Sequence, residues 1–166
     1  MNNRSRIAIC VILVVSLSSC YSFKGSSVPP HLKTISIPLF DDQSGSGEPG
    51  LREQMTNKLI ARLRDDNSFQ IADRLHADAL VEGIITSMTT APIVVTGGET
   101  LQKQRLTVTA KVTYQDIKLK KKIFEKQFAN YGDYDISSGT GGRTSALASA
   151  LEKVTEDILN DVVSGW

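Results

Sequence analysis

The sequence predicts an α+β fold, a two-layer sandwich in which a mixed sheet of four to five strands carries two helices packed on one face. Three observations carry this expectation. Leu106, Val108, Ala110, Val112 and Tyr114 alternate with polar residues, Leu51, Met55, Leu59 and Leu63 recur at helical spacing, and Leu147, Ala150, Leu151, Val154, Ile158 and Val162 repeat the helical pattern near the C-terminus. A chain of 166 residues, 40% hydrophobic and 22% charged, suffices for one core and is too short for two full domains.

The N-terminal segment has the layout of an export signal. Arg4 and Arg6 supply a cationic start, and Ile7 to Val15 is an apolar run shorter than a membrane span. Leu17-Ser18-Ser19-Cys20 then resembles the lipobox of bacterial lipoproteins, in which small residues fit the peptidase cleft and the cysteine thiol accepts a diacylglyceryl group. Residues 1–19 are therefore expected to be a lipoprotein signal peptide, Cys20 the lipidated residue, and 20–32, rich in Ser, Gly and Pro, a lipidated tether. Two or three acyl chains anchor stably where one would be marginal. In enterobacterial lipoproteins an aspartate after the cysteine marks inner-membrane retention, and Tyr21 in that place favours transport to the outer membrane.

The folded unit is expected over 33–166 as a single α+β domain. Thr34 to Phe40 reads as its first strand, with Ile35, Ile37 and Leu39 on one side and Pro38 suited to an edge. Asp41 to Gly50 is a Gly, Ser and Asp loop, and a helix runs from Leu51 through Asp65, with Glu48 and Glu53 favourable near its positive end. Phe69 to Ala72 is a short strand and Ala79 to Met88 a longer one, covered on both faces apart from Glu82. Leu106 to Gln115 has the cleanest alternation, buried on one side and wet on the other. Ile123 to Tyr131, dominated by Phe, Ile and Tyr, pairs back on it through a turn at about Lys118 to Lys121. Asp133 to Gly142 reads as a glycine- and serine-rich loop before the closing helix. The first strand, helix and Phe69 strand form a β-α-β unit, which makes strands one and two parallel and the later pairs hairpins.

Chemistry is sparse. Cys10 leaves with the signal and Cys20 is consumed by lipid, so no thiol remains for a disulfide or a nucleophile, and two histidines cannot build a zinc site. His31 and His76 lie in polar segments without a serine or cysteine motif, and Gly139-Thr140-Gly141-Gly142-Arg143-Thr144 lacks the Lys-Ser or Lys-Thr pair of a phosphate loop, so it reads as a hinge. Asp41-Asp42, and Asp133 with Asp135, read as turn residues rather than a cation site. No enzyme and no cofactor is expected. Loss of Arg4 and Arg6 takes the formal charge from +1 to −1, which argues against nucleic acid as a partner.

Two features stand above this background. Thr89 to Gln104, with Ile93-Val94-Val95 and Gly97-Gly98, is long for a hairpin connection: it folds back on the core, extends the strands as a ribbon, or inserts its tip into another molecule. Lys103, Arg105 and Lys111 share the exposed side of their strand with Thr107 and Thr109, and Lys120, Lys121 and Lys122 crowd the next turn. Such cations either solubilise an edge and a turn or bind phosphate, which arginine holds with two hydrogen bonds.

The lipobox at Cys20, the tether, Thr34-Ile35-Ser36-Ile37-Pro38-Leu39-Phe40, the helix from Leu51, Ala77 to Gly83, Val112 to Asp116 and the Ile158 helix together resemble the lipopolysaccharide-assembly lipoproteins, the LptE-like family. Their order and spacing carry the likeness over nearly the whole exported chain. The resemblance implies a non-enzymatic outer-membrane subunit of the lipopolysaccharide translocon that plugs a β-barrel assembly partner and itself binds lipopolysaccharide. Charge and position, not a family motif, make Lys103, Arg105, Lys111, Lys120, Lys121 and Lys122 the candidate contacts for its phosphates. A second similarity, over the first half and through Phe69-Gln70-Ile71-Ala72-Asp73-Arg74, is to envelope lipoproteins of the curli-secretion and peptidoglycan-synthase-activator type, which act by protein–protein interaction.

Overall fold

The computed structural model describes residues 28–93 and 103–164. The signal peptide expected over 1–19, Cys20 and most of the tether lie outside the described residues, as do residues 94–102 of the long connection. The elements in order are β1 Thr34–Ser36, β2 Asp41–Asp42, α1 Leu51–Asp66, β3 Gln70–Ile71, β4 Ala79–Ile93, β5 Lys103–Asp116, β6 Lys121–Asp135 and α2 Gly139–Ser164, with a 3₁₀ turn at Ile136–Ser138.

The sheet is mixed, as the sequence predicts. Its order is β3-β1-β4-β5-β6, and β2 pairs with β4 farther along the edge that β1 occupies. β1 runs parallel to β3 and β4, whereas β4, β5 and β6 form an antiparallel meander. The two long pairings give the molecule its backbone: β4 meets β5 from Ala79↔Asp116 to Ile93↔Lys103, and β5 meets β6 from Lys103↔Asp135 to Asp116↔Lys121.

Both helices cover one face. Leu106, Val108, Ala110, Val112 and Tyr114 of β5 are fully buried beneath them, and Phe124 and Phe128 of β6 join on the same side, their rings edge to face at 6.2 Å. Two phenylalanines four residues apart share a face in a strand as they do in a helix, so their spacing alone does not choose; the β-prone composition does. Leu51, Met55, Leu59 and Leu63 form the buried stripe of α1, each worth about 1.5–3 kcal/mol in burial. The helix ends at Asn67, whose left-handed φ of 60° turns its N–H back onto the Leu63 carbonyl at 3.2 Å. Across the helix layer Arg62 donates to the Thr155 hydroxyl at 3.1 Å, and Lys58 pairs with Glu152 at 2.9 Å.

Three local expectations are corrected. The strand expected over Thr34 to Phe40 stops at Ser36: Pro38 has no N–H for a ladder, the chain steps off the sheet, Leu39 faces solvent and Phe40 turns inward, and pairing resumes at Asp41 within the expected loop. The connection expected from Thr89 is partly sheet, because β4 runs to Ile93 and β5 begins at Lys103, which is the ribbon alternative. Pro92 is tolerated there because that stretch of β4 has β5 on one side and no partner among the described residues on the other. Finally, Asp133 and Asp135 belong to β6 and Gly139 to Gly142 to the first turn of α2, so neither a loop nor a hinge separates the last strand from the last helix beyond the 3₁₀ turn.

Candidate functional site: the open face of the sheet

Each strand of the meander presents its alternate residues to the side away from the helices. On β5 these are Lys103, Arg105, Thr107, Thr109, Lys111 and Thr113, in the period-two order that the sequence predicts, but Thr109, expected to be exposed, is buried on this side. On β4 a bulge between Ile85 and Ser87 switches the parity, so that Ser87, Thr89, Ala91 and Ile93 lie beside Thr109, Thr107, Arg105 and Lys103. The bulge aligns the outer half of β4 with the hydroxyl side of β5; Thr86, the extra residue, spends its hydroxyl on the Thr109 carbonyl at 3.3 Å.

The charges on this face are organised. Arg105 meets Asp133, its cross-strand neighbour, through two parallel hydrogen bonds of 2.8 and 2.9 Å. Its guanidinium also stacks on Tyr131, 3.5 Å from the ring centre, with Lys153 of α2 4.9 Å from the same ring. Hydrogen bonding to Asp133 pushes the Arg105 pKa up, and the same bonds pull that of Asp133 down. Lys111 pairs with Glu125, which Lys122 also reaches at 2.6 Å. Lys111 first and Lys122 second hold the Glu125 carboxyl down to about 2. Near this cluster the face dips into a groove of about 420 Å³ bordered by Pro38, Leu39, Ile84, Lys111, Thr113 and Glu125.

The six basic residues singled out in the sequence thus fall into two groups. Lys103, Arg105 and Lys111 lie on the open face of β5, whereas Lys120, Lys121 and Lys122 sit at the β5–β6 turn, Ile117 to Lys120, and the start of β6. The length of β5, Lys103 to Asp116, separates Lys103 from that turn by roughly 40 Å. The two groups meet only where Lys111 and Lys122 share the Glu125 carboxylate; no single phosphorylated head group reaches from Lys103 to the turn. Lys126, farther along β6, lies on the helix side and pairs with Asp161 of α2 at 2.7 Å.

Sequence reasoning missed Asp133, Glu125 and Tyr131, which complete the pattern. The signal was available in the register, since a turn placed at Ile117 to Lys120 sets Asp133 opposite Arg105 and Tyr131 opposite Thr107. Among the described residues no group of three His, Cys, Asp or Glu side chains could hold a metal ion, and no helix is long and apolar enough to cross a membrane. What the face can do chemically is bind: hydroxyls, paired charges, a stacked aromatic and a shallow groove complement a polar wall or a phosphorylated ligand.

A family described as lipopolysaccharide-assembly, LptE, matches residues 32–163. No curated protein matches the chain. Solved structures share the fold at low identity. A hypothetical protein of Chlamydia trachomatis is 9% identical, with 81% of this chain and 99% of that one covered and a TM-score of 0.60. A protein of Xanthomonas campestris is 12% identical over 83% and 90%, with a TM-score of 0.60. A minor lipoprotein of Acinetobacter baumannii is 12% identical over 82% and 95%, with a TM-score of 0.53.

Proposed function

The chain belongs to the lipopolysaccharide-assembly family LptE, and from that premise we propose that it is an acylated, non-enzymatic outer-membrane subunit of the lipopolysaccharide translocon. In this reading Cys20 carries the lipid anchor, the domain faces the periplasm or the lumen of a β-barrel partner, and the open face of the sheet is what the barrel receives. The observation that carries it is that face. A sheet with one side roofed by α1 and α2 leaves the other bearing Thr107 and Thr113 between ordered charges, a surface able to meet the polar lumen of a large barrel with hydrogen bonds.

Lipopolysaccharide phosphates are proposed to meet the β5 cations Lys103, Arg105 and Lys111. Lys103 makes no ion pair among the described residues, and Arg105, held flat on Tyr131 by Asp133, would have to share or exchange its carboxylate for a phosphate. Affinity-purifying the chain from detergent-solubilised envelopes tests the reading. Recovery of a large outer-membrane β-barrel is expected; recovery instead of a peptidoglycan synthase or a self-assembled secretion ring would favour the protein-interaction lipoproteins that the first half of the sequence also resembles.

A further inference from the structure

Opposite the Lys103 end of the sandwich, three segments converge: the chain that comes from Cys20, the connection between β3 and β4, and the β5–β6 turn. Their convergence is fixed by hydrogen bonds. His31 Nε2 lies 2.6 Å from Asp116 Oδ2, the Lys118 ammonium donates to the His31 carbonyl at 2.9 Å and pairs with Asp78 at 2.7 Å, and Asp78 accepts the Lys33 and Thr34 N–H groups at 2.8 and 3.0 Å. The Thr34 hydroxyl donates to the His76 carbonyl at 3.2 Å, and the Ile117 N–H to that of Asp78 at 2.9 Å. Val28 and Leu32 pack into the core just upstream, so this end of the fold is where the chain from Cys20 arrives.

Two large apolar side chains stand out from this end. Leu75, between β3 and β4, is 91% exposed, and Leu119, at the tip of the β5–β6 turn, is 65% exposed. Around them Asp78 pairs with Lys118 and Glu82 with Arg74, while Asp73 and Asp116 lie against His76 and His31. Lys33, Lys120 and Lys121 make no ion pair among the described residues and are exposed. Leucines projecting among exposed lysines that make no ion pair have the composition of a surface that lies in the headgroup region of an anionic bilayer, with the apolar tips reaching the acyl boundary.

We propose that this end of the sandwich docks on the surface of an anionic phospholipid membrane, with Leu75 and Leu119 inserted at the headgroup boundary and Lys33, Lys120 and Lys121 among the lipid phosphates. The inference rests on the reading that Cys20 is acylated. Val28 lies eight positions after Cys20, a fully extended reach of roughly 28 Å, so an anchored chain holds this end, and not the Lys103 end, close to the bilayer. It also gives Lys120 and Lys121 an occupant separate from the ligand of the open face.

The test uses the chain as processed in bacterial envelopes, carrying Leu119→Cys or, as the control at the opposite end of β6, Ser137→Cys, each labelled with an environment-sensitive dye. The protein is reconstituted in vesicles of phosphatidylethanolamine and phosphatidylglycerol, with and without doxyl-labelled lipid. The expected result is flotation with the vesicles, strong quenching at 119 and little at 137. Lys120→Glu with Lys121→Glu should remove most of the quenching at 119 while flotation persists, and vesicles of phosphatidylcholine alone should give several-fold less. Flotation with equal or absent quenching at the two positions would overturn the docking and leave the anchor intact. Failure to float, with no acyl mass on Cys20, would overturn the anchor and this inference together. Quenching at 119 only when lipopolysaccharide is added would transfer the turn to that ligand and overturn the assignment to phospholipid.

Discussion

Gly132 of β6 lies directly against the backbone of Ala146 in α2: a methyl group on Gly132 would come within 2.7 Å of the Ala146 Cα and nearer still to its carbonyl oxygen. This close approach sets the distance between the helix layer and the sheet beside Leu106, the cross-strand partner of Gly132. Gly132→Ala should therefore destabilise the fold by about 2–4 kcal/mol, because neither backbone can yield alone. Gly141→Ala, which meets nothing within 4 Å in the first turn of α2, should be neutral or stabilising by about 0.5–1 kcal/mol. Urea denaturation of the two variants checks the pair.

Phe40 makes the matching contact at the other helix. Its ring occupies the space over Gly83 of β4, and its N–H donates to the Thr56 hydroxyl of α1 at 3.0 Å, so one residue joins the sheet edge to the helix. Phe40→Ala should cost about 3–5 kcal/mol, and thermal unfolding should show it as a large drop in Tm. Leu39→Ala, one residue away and facing solvent, should leave Tm close to that of the parent chain.

Acid should loosen the end where the chain from Cys20 joins the fold. Lys118 foremost, with the Lys33 and Thr34 N–H groups, holds the Asp78 carboxyl far below the usual range, and Glu125 is held down to about 2. A carboxyl depressed in the folded state contributes fully above its unfolded pKa of about 4 and loses that contribution as pH falls through the folded value. Stability measured by urea titration should thus be flat from pH 7 to 5 and fall between about 4 and 2. Asp78→Asn should lower the plateau and flatten the decline.

Arg105 separates binding from stability. Its pairing with Asp133 is exposed to solvent, so Arg105→Ala should leave Tm nearly unchanged. Lipopolysaccharide retention on the immobilised protein should nevertheless weaken and lose part of its salt sensitivity. Arg105→Lys, which keeps the charge and loses the planar fork, should fall between the two.

The sequence made the buried half of this molecule legible and the exposed half only partly so. The alternation of β5 and the stripe of α1 are readable because burial on one side imposes a period. β4 beyond Met88 is silent by that criterion: Thr89, Thr90, Ala91 and Pro92 are exposed, and backbone pairing to β5 alone keeps them in the sheet. The first turn of α2 is equally silent, since Gly139, Gly141 and Gly142 are poor helix formers; Gly142 fits beneath Ser138, and Arg143 is tied to Glu48 at 2.7 Å. At the site, Arg105 was visible as a cation on the wet side of a strand, but Asp133 looks like a turn residue and Tyr131 like the end of a strand until the register sets them beside it.

The central claim is that the open face, not the helix layer, meets the barrel. A photo-crosslinking amino acid placed at Thr107 or Thr113 on that face, and at Asn160 on the exposed side of α2, tests it in intact cells. Adducts with an outer-membrane β-barrel are expected from positions 107 and 113, and stronger ones than from 160. Adducts from Asn160 alone, with Thr107 and Thr113 silent, would contradict it.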